Sequence, residues 1–367
     1  MPNLLRCLVL AASAALALAA PARAIPIFAH QYGVTCQKCH SQVPRLNEFG
    51  LHFAANGDRI AGIAPGPAAP IAIRFNLVAS SERQGDGPDG AGLPKAIIDE
   101  IELFTAGTIG SRANYFVEQY VVDGGQRGLL RDAWVDERLT PWSQTPVSLQ
   151  AGSFTLPLPV DPETFRDSAT HYSLFDQTVG DNPFAFFDPK VGAKLSVGDT
   201  LRGTSAQVFA GPGHDRQSGL PATGTDVMAY VQHVAGPLSL SAYRYRGTRP
   251  DGNDARDRFV RSGVGLVYAQ GRWTSESVLQ TGWDSSCDGT GCASSGGFTQ
   301  VRYAIGLRLF AEARYQGTDD PTNGFTRDAV LLLGYRPTHN ARITVEDAIA
   351  HAPFATHTLN VQYTVGY

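Results

Sequence analysis

Five residues near the start of the chain have the types and spacing to do chemistry: Cys36-Gln37-Lys38-Cys39-His40. C-x-x-C-H is the attachment signature of a c-type haem. Two thiols one turn apart reach the two vinyl groups of one porphyrin, and the imidazole that follows falls beneath the iron as proximal ligand. Cys36 and Cys39 are therefore the candidate thioether positions and His40 the candidate iron ligand of one covalent haem c. A Cys36–Cys39 disulfide or half of a zinc site are the competing uses of the same spacing. The distal side of the iron stays open between several readings. Apart from the initiator the chain has one Met, Met228, far from the motif. His30, six residues before Cys36, and His52, twelve after His40, are the nearby candidates, and a five-coordinate iron is the third option.

A haem c requires an exported chain, and the N-terminus reads as an export signal. Arg6 supplies a positive start, residues 8–20 form an apolar run, and Ala22-Arg23-Ala24 fits the small-x-small cleavage rule. Residues 1–24 are expected to be removed, taking Cys7 with them. Beyond them no uninterrupted apolar run is long enough for a membrane-spanning helix. Of the four remaining cysteines, Cys287 and Cys292 flank Asp288-Gly289-Thr290-Gly291 in what reads as a loop. In an exported chain that pair is expected to form a local disulfide of small stabilising effect, because the ring it closes is short.

The haem segment, residues 25–68, is too short to bury a core of its own. Pro65, Pro67 and Pro70 mark a linker after it. Residues 69–367 must then supply a wall around it. Composition narrows what that wall is. The chain has 367 residues, 43% hydrophobic and 17% charged, with 39 Gly and 23 Pro, which argues against disorder and against a coiled coil. A formal net charge of −4 gives no electrostatic support to a nucleic-acid surface. The mean hydropathy of −0.14 argues against a helical membrane protein but does not exclude a membrane barrel, whose apolar and polar faces average out.

Period-2 alternation repeats along the whole of that stretch. At its end, Leu359, Val361, Tyr363, Val365 and Tyr367 alternate with Thr358, Asn360, Gln362, Thr364 and Gly366. A terminal aromatic strand of this kind resembles the C-terminal strand of bacterial outer-membrane proteins. About sixteen such segments can be marked, and short turns such as Gly110-Ser111-Arg112 alternate with long connections such as 82–95, 211–224 and 284–296. This predicts an all-β fold: an antiparallel transmembrane β-barrel of about sixteen strands, with both chain ends on the short-turn side. Glu100, Glu102, Arg308, Glu312, Arg314, Arg342 and Glu346 fall on the expected inward faces. The longest connection, 157–188, carries Phe165, Phe175, Phe184, Phe186 and Phe187 among Asp161, Asp167, Asp176, Asp181 and Asp188. So many aromatics need cover. A loop after the fifth strand resembles the inward-folded constriction loop of sixteen-stranded porins; packing on the barrel rim is the alternative.

One family matches the layout. The stretch Phe28-Ala29-His30-Gln31-Tyr32-Gly33, the Cys36–His40 motif, then Pro44, Leu46-Asn47, Phe49-Gly50, Phe53 and Asn56-Gly57 resemble the N-terminal segment of the fused cytochrome–porins. These are outer-membrane monohaem cytochromes best known from Fe(II)-oxidising bacteria. The resemblance implies an outer-membrane location and a haem held in or at the pore, attached at Cys36 and Cys39 and ligated by His40. It also implies electron uptake from Fe(II) or another extracellular reduced donor. Delivery would be to a periplasmic carrier such as a cytochrome or cupredoxin. In that reading the protein is an Fe(II)-oxidising electron-transfer cytochrome; a haem enzyme such as a peroxidase, which needs an open iron site, is a third reading. The competing expectation is a diffusion porin whose haem segment is a structural plug or redox sensor.

Overall fold

The computed structural model describes residues 27–41, 43–66, 71–84, 95–142, 144–180, 182–213, 224–250, 256–287, 290–321, 324–351 and 355–366. The expected signal peptide, Pro67, Pro70, Asp181 and the terminal Tyr367 lie outside the described residues.

The chain enters the barrel through β1 (Ala72–Gln84), β2 (Lys95–Ile109) and β3 (Ala113–Asp123). Strand β4 pairs with β3 in two pieces, Gln126–Arg127 and Leu130–Arg138, followed by β5 (Val147–Phe154). Then come β6 (Lys190–Val197), β7 (Gly203–Gly211), β8 (Asp226–Ala235), β9 (Leu238–Pro250) and β10 (Arg256–Gln270). The last six are β11 (Trp273–Cys287), β12 (Thr290–Ala304), β13 (Leu309–Asp320), β14 (Gly324–Tyr335), β15 (Ala341–His351) and β16 (Ala355–Gly366). Each strand pairs antiparallel with its sequence neighbours, and β1 pairs with both β2 and β16. The sheet therefore closes on itself with sixteen strands among the described residues, and closure removes the unpaired edges of an open sheet.

Alternation along each strand sorts residues as a membrane barrel requires, inverted relative to a soluble sandwich. In β13 the inward residues Glu312, Arg314 and Gln316 are buried, while outward Tyr315 is exposed. Leu279, Leu331, Leu333 and Val345 lie exposed on the outer surface. Exposed Tyr268, Trp273 and Tyr335 ring the short-turn end of that apolar band, and Trp283, Tyr315 and Phe325 ring the other. No helix among the described residues is long and apolar enough to cross a membrane.

Two expectations need correction. Arg308 is exposed in the turn before β13 and does not face inward, because that strand begins at Leu309. Cys287 and Cys292 do not sit in a long loop. The β11–β12 hairpin extends past the expected strand ends, so Cys287 closes β11 and Cys292 lies inside β12, joined by a disulfide.

Two segments fill the lumen from opposite mouths. The connection between β5 and β6 drops inside rather than packing on the rim. It carries a short helix, α3 (Ser173–Asp176), and buries Phe175, Phe184 and Phe186 against Tyr243, Tyr245, Phe259 and Phe298 of the wall. From the short-turn end comes the segment before β1, with α1 (Ile27–Tyr32), a single 3₁₀ turn (Cys36–Lys38) and α2 (Glu48–Ala55). Ile27 packs on Ala72 and Ala106, and Arg59 donates to Gly110 O at 3.1 Å and Ala113 O at 2.8 Å. Arg336, in the turn after β14, donates to Ser41 O.

Candidate functional site

The Cys36–His40 motif is built as a tight turn braced by α2. The amide of His40 donates to Cys36 O at 2.8 Å, and Asn47 N–H donates to Cys39 O at 2.8 Å. Asn47 also caps α2, its side chain accepting from Gly50 N–H at 2.9 Å. Gly50 is needed there: a Cβ at this position would stand 2.1 Å from Cys39 O, which no side chain tolerates. The helix thus presses directly on the second cysteine of the motif.

His40 is oriented by its own loop. Its Nδ1 lies 2.9 Å from Pro44 O. A carbonyl only accepts, so Nδ1 carries the proton and Nε2 keeps its lone pair, the arrangement of a metal-ligating imidazole with a backbone partner. Burial pushes the His40 imidazole toward its neutral form. Cys36 and Cys39 are both free thiols rather than a disulfide. Burial raises the Cys36 thiol to about 11, and it raises Cys39 as well.

All three residues open on one cavity of about 520 Å³, enclosed between the N-terminal segment and strands β1 to β6. That volume falls within the ~300–1,000 Å³ typical of cofactor sites. Ile27, Phe28, Leu46 and Phe53 line it on the segment side; Phe104, Phe116, Trp134 and Phe154 line it on the wall. Polar groups also line it, including Arg74, Lys194, Glu118, Asp132 and Glu163. The residues present fit a haem c: two thiols for the vinyls, an imidazole for the iron, aromatic sides for the porphyrin faces and, in Lys194, a cation for a carboxylate. The zinc alternative finds less support. The one group of three or more His, Cys or carboxylate side chains within ligand distance, among the described residues, is Glu118, Asp132 and Glu163.

The two distal candidates are not brought to this cavity. His30 is exposed on α1. His52 is exposed on α2 and lines a neighbouring cavity of about 800 Å³ at the short-turn mouth, beside Arg138 and Trp142. Met228 is buried in the aromatic cluster across the lumen. Among the described residues the lining of the motif's cavity holds no second His and no Met.

One residue that sequence reasoning passed over joins everything. Arg45, 4% exposed, reaches from the motif's loop into the centre of the lumen. Its Nε donates to Asp167 at 3.0 Å and its Nη1 to Glu276 at 2.9 Å. The same Asp167 carboxylate takes Arg302 at 3.0 Å and Arg342 at 2.9 Å. The N-terminal segment, the lumen loop and strands β12 and β15 are thereby tied at a single carboxylate, and Arg45 adds β11 through Glu276.

A closed sixteen-stranded antiparallel barrel with a lumen-folded loop after its fifth strand is a porin-like barrel. Solved structures agree. The anion-selective porin from Comamonas acidovorans superposes with a TM-score of 0.60 at 12% identity, covering 81% of this chain and 98% of its own. OmpF of Salmonella typhi, in complex with daunomycin, gives 0.56 at 12% identity over 80% of this chain and 97% of its own. OmpT of Vibrio cholerae, expressed in the outer membrane, gives 0.53 at 11% over 81% and 97%. At such identities the likeness is one of fold. No protein-family model and no curated protein sequence matches the chain.

Proposed function

We propose that this protein is exported, with cleavage of residues 1–24, to the outer membrane, where it passes electrons through one covalent haem c held in its barrel. The observation that carries this reading is the opening of Cys36, Cys39 and His40 on a single cavity inside the lumen. An apolar core of roughly 30 Å blocks electrons. A carrier inside the wall divides that distance into two shorter legs.

Bound there, the haem supplies a one-electron acceptor and donor. The chain's own residues do the rest. Cys36 and Cys39 would hold the porphyrin, and His40, its ring fixed by Pro44 O, would offer Nε2 to the iron. Ile27, Phe53, Phe116 and Trp134 exclude water from the faces. Lys194, in the same lining, would offer a cation to a carboxylate of the cofactor. Fe(II) or another reduced donor approaches the long-loop mouth, and a periplasmic cytochrome or cupredoxin docks at the short-turn mouth.

A visible spectrum with a redox titration of the purified protein tests this directly. The expected result is a c-type absorbance that survives denaturation and disappears in the Cys36→Ser/Cys39→Ser variant. In liposomes, a reduced donor on the outside should reduce the haem; no reduction by any soluble donor overturns the reading. The second reading, a diffusion porin with a haem-bearing plug or sensor, is favoured by the porin-like fold. Planar-bilayer conductance separates the two: a near-closed pore supports the conduit, large open currents the porin.

A further inference from the structure

Three carboxylates with no part in the proposed electron path converge on one flank of the cavity. Glu118 of β3 stands directly across from Asp132 of β4 in the sheet register, and Glu163 arrives from the lumen loop. One oxygen of each lies within 4.8 Å of the others. Oxygens that share one divalent ion at ~2.0–2.6 Å lie no more than about 4–5 Å apart, so a single ion can span all three. Like charges facing across a strand pair repel, and the pairing has no structural need for them. The pair is the last of the regular β3–β4 register, just before the shift at Glu118/Gln119.

A separate observation points to a missing partner. Glu118 is 4% exposed and lines the cavity, yet its carboxylate accepts no hydrogen bond and joins no ion pair among the described residues. Gln150 on β5, 7% exposed, lines the same cavity with its amide equally unpartnered among them. Nearby guanidiniums are taken: Arg131 pairs with Glu163 and Arg74 with Glu102. A buried carboxylate without a partner is costly, and a cation removes that cost. Asp132 is already aimed, its Oδ1 accepting Thr155 N–H at 3.1 Å. The donor set is all oxygen, which suits hard divalent ions rather than those that seek thiolate or imidazole.

We infer that Glu118, Asp132 and Glu163 form a binding site for one hard divalent cation in the barrel wall. The site rests on the wall and the loop, and it stands whether or not a haem fills the cavity. The test uses the full-length protein in detergent, stripped with EDTA and titrated with Mn²⁺, free ion being read by electron paramagnetic resonance. One saturable site is expected. Glu118→Gln is isosteric and breaks no hydrogen bond, and it should weaken binding at least tenfold. The Glu118→Gln/Asp132→Asn pair should abolish the saturable phase, while Asp347→Asn, on an exposed carboxylate of β15, leaves it unchanged. If the double variant does not fold, the Glu118→Gln titration decides alone. The absence of a saturable site in the wild type, or wild-type affinity in Glu118→Gln, overturns the proposal. Haem absorbance in the same samples reports on the other reading separately.

Discussion

The two sides of the lumen solve the same problem differently. Under β8 to β12 the loop's Phe184 and Phe186 wedge among Tyr243, Tyr245 and Phe259, with ring centroids 4.5 to 5.7 Å apart. Phe175 and Tyr172 close on Phe298 in the same way. That side is solid. Under β1 to β6 the wall is also aromatic, with Phe116 stacked on Trp134 at 5.8 Å, yet it faces a cavity of about 520 Å³. The sheet geometry and the loop are common to both sides. What differs is the plug that each side meets: aromatic loop on one, a thin helical segment carrying the C-x-x-C-H motif on the other. The packed side serves as the anchor, and its rigidity holds Asp161, Glu163 and Asp167 pointing back toward the open side.

The comparison breaks most severely at the carboxylate that ties the two sides together. Asp167→Ala leaves the buried guanidiniums of Arg45, Arg302 and Arg342 without that partner. Removing one side of a buried ion pair costs ~3–5 kcal/mol. The variant should unfold at clearly lower denaturant and show larger single-channel currents as the Arg45 arm comes free; unchanged currents would refute the lock.

Phe184→Ala strikes only the packed side. A buried Phe truncated to Ala loses ~3–5 kcal/mol, toward the lower end where neighbours can relax. Denaturant unfolding should register that loss while the cavity side keeps its haem absorbance. A parallel loss of both signals would mean that the two sides are not separable.

A smaller effect belongs to the open side. Asp58 hydrogen-bonds Asn114 at 2.7 Å, and burial pushes its carboxyl from 3.8 up to about 7. The folded state therefore holds a proton that the unfolded state has released. Its contribution to stability is complete below pH ~4, falls as pH rises toward about 7, and is level above that. Limited proteolysis of the N-terminal segment should accelerate from pH 5 to pH 8. Asp58→Asn should flatten that profile, and since Asp58 sits at a φ of 60°, asparagine is the replacement its backbone accepts. Smallest of all, reducing Cys287–Cys292 opens a ring far shorter than the 15-residue loop worth ~3 kcal/mol, so thermal unfolding should barely move.

The barrel was legible in the chain because the face a strand residue takes is a local, period-2 property. The inward turn of Glu102, Glu312, Arg314, Arg342 and Glu346 could be read that way. The lumen loop was legible through its length and its phenylalanines. Other features depend on where segments meet. Arg45 looks like any surface arginine until the loop brings Asp167 to it. Glu118 and Asp132 face each other through the pairing of β3 with β4, and Glu163 reaches them only through the lumen loop. His30 and His52 are close to the motif in sequence, but a helix turns adjacent positions about 100° apart. Ile27 and Phe53 take the inward directions and the histidines point out.

The enclosure of Cys36 has a consequence for manufacture. Its side chain is 4% exposed, walled by the segment above and the sheet around. Once the β1–β16 seam zips shut, an attachment enzyme has no line of approach to that sulfur. If the proposed haem is attached at that sulfur, covalent loading would come first and closure of the cylinder second, so the assembly machinery would receive a part already fitted out.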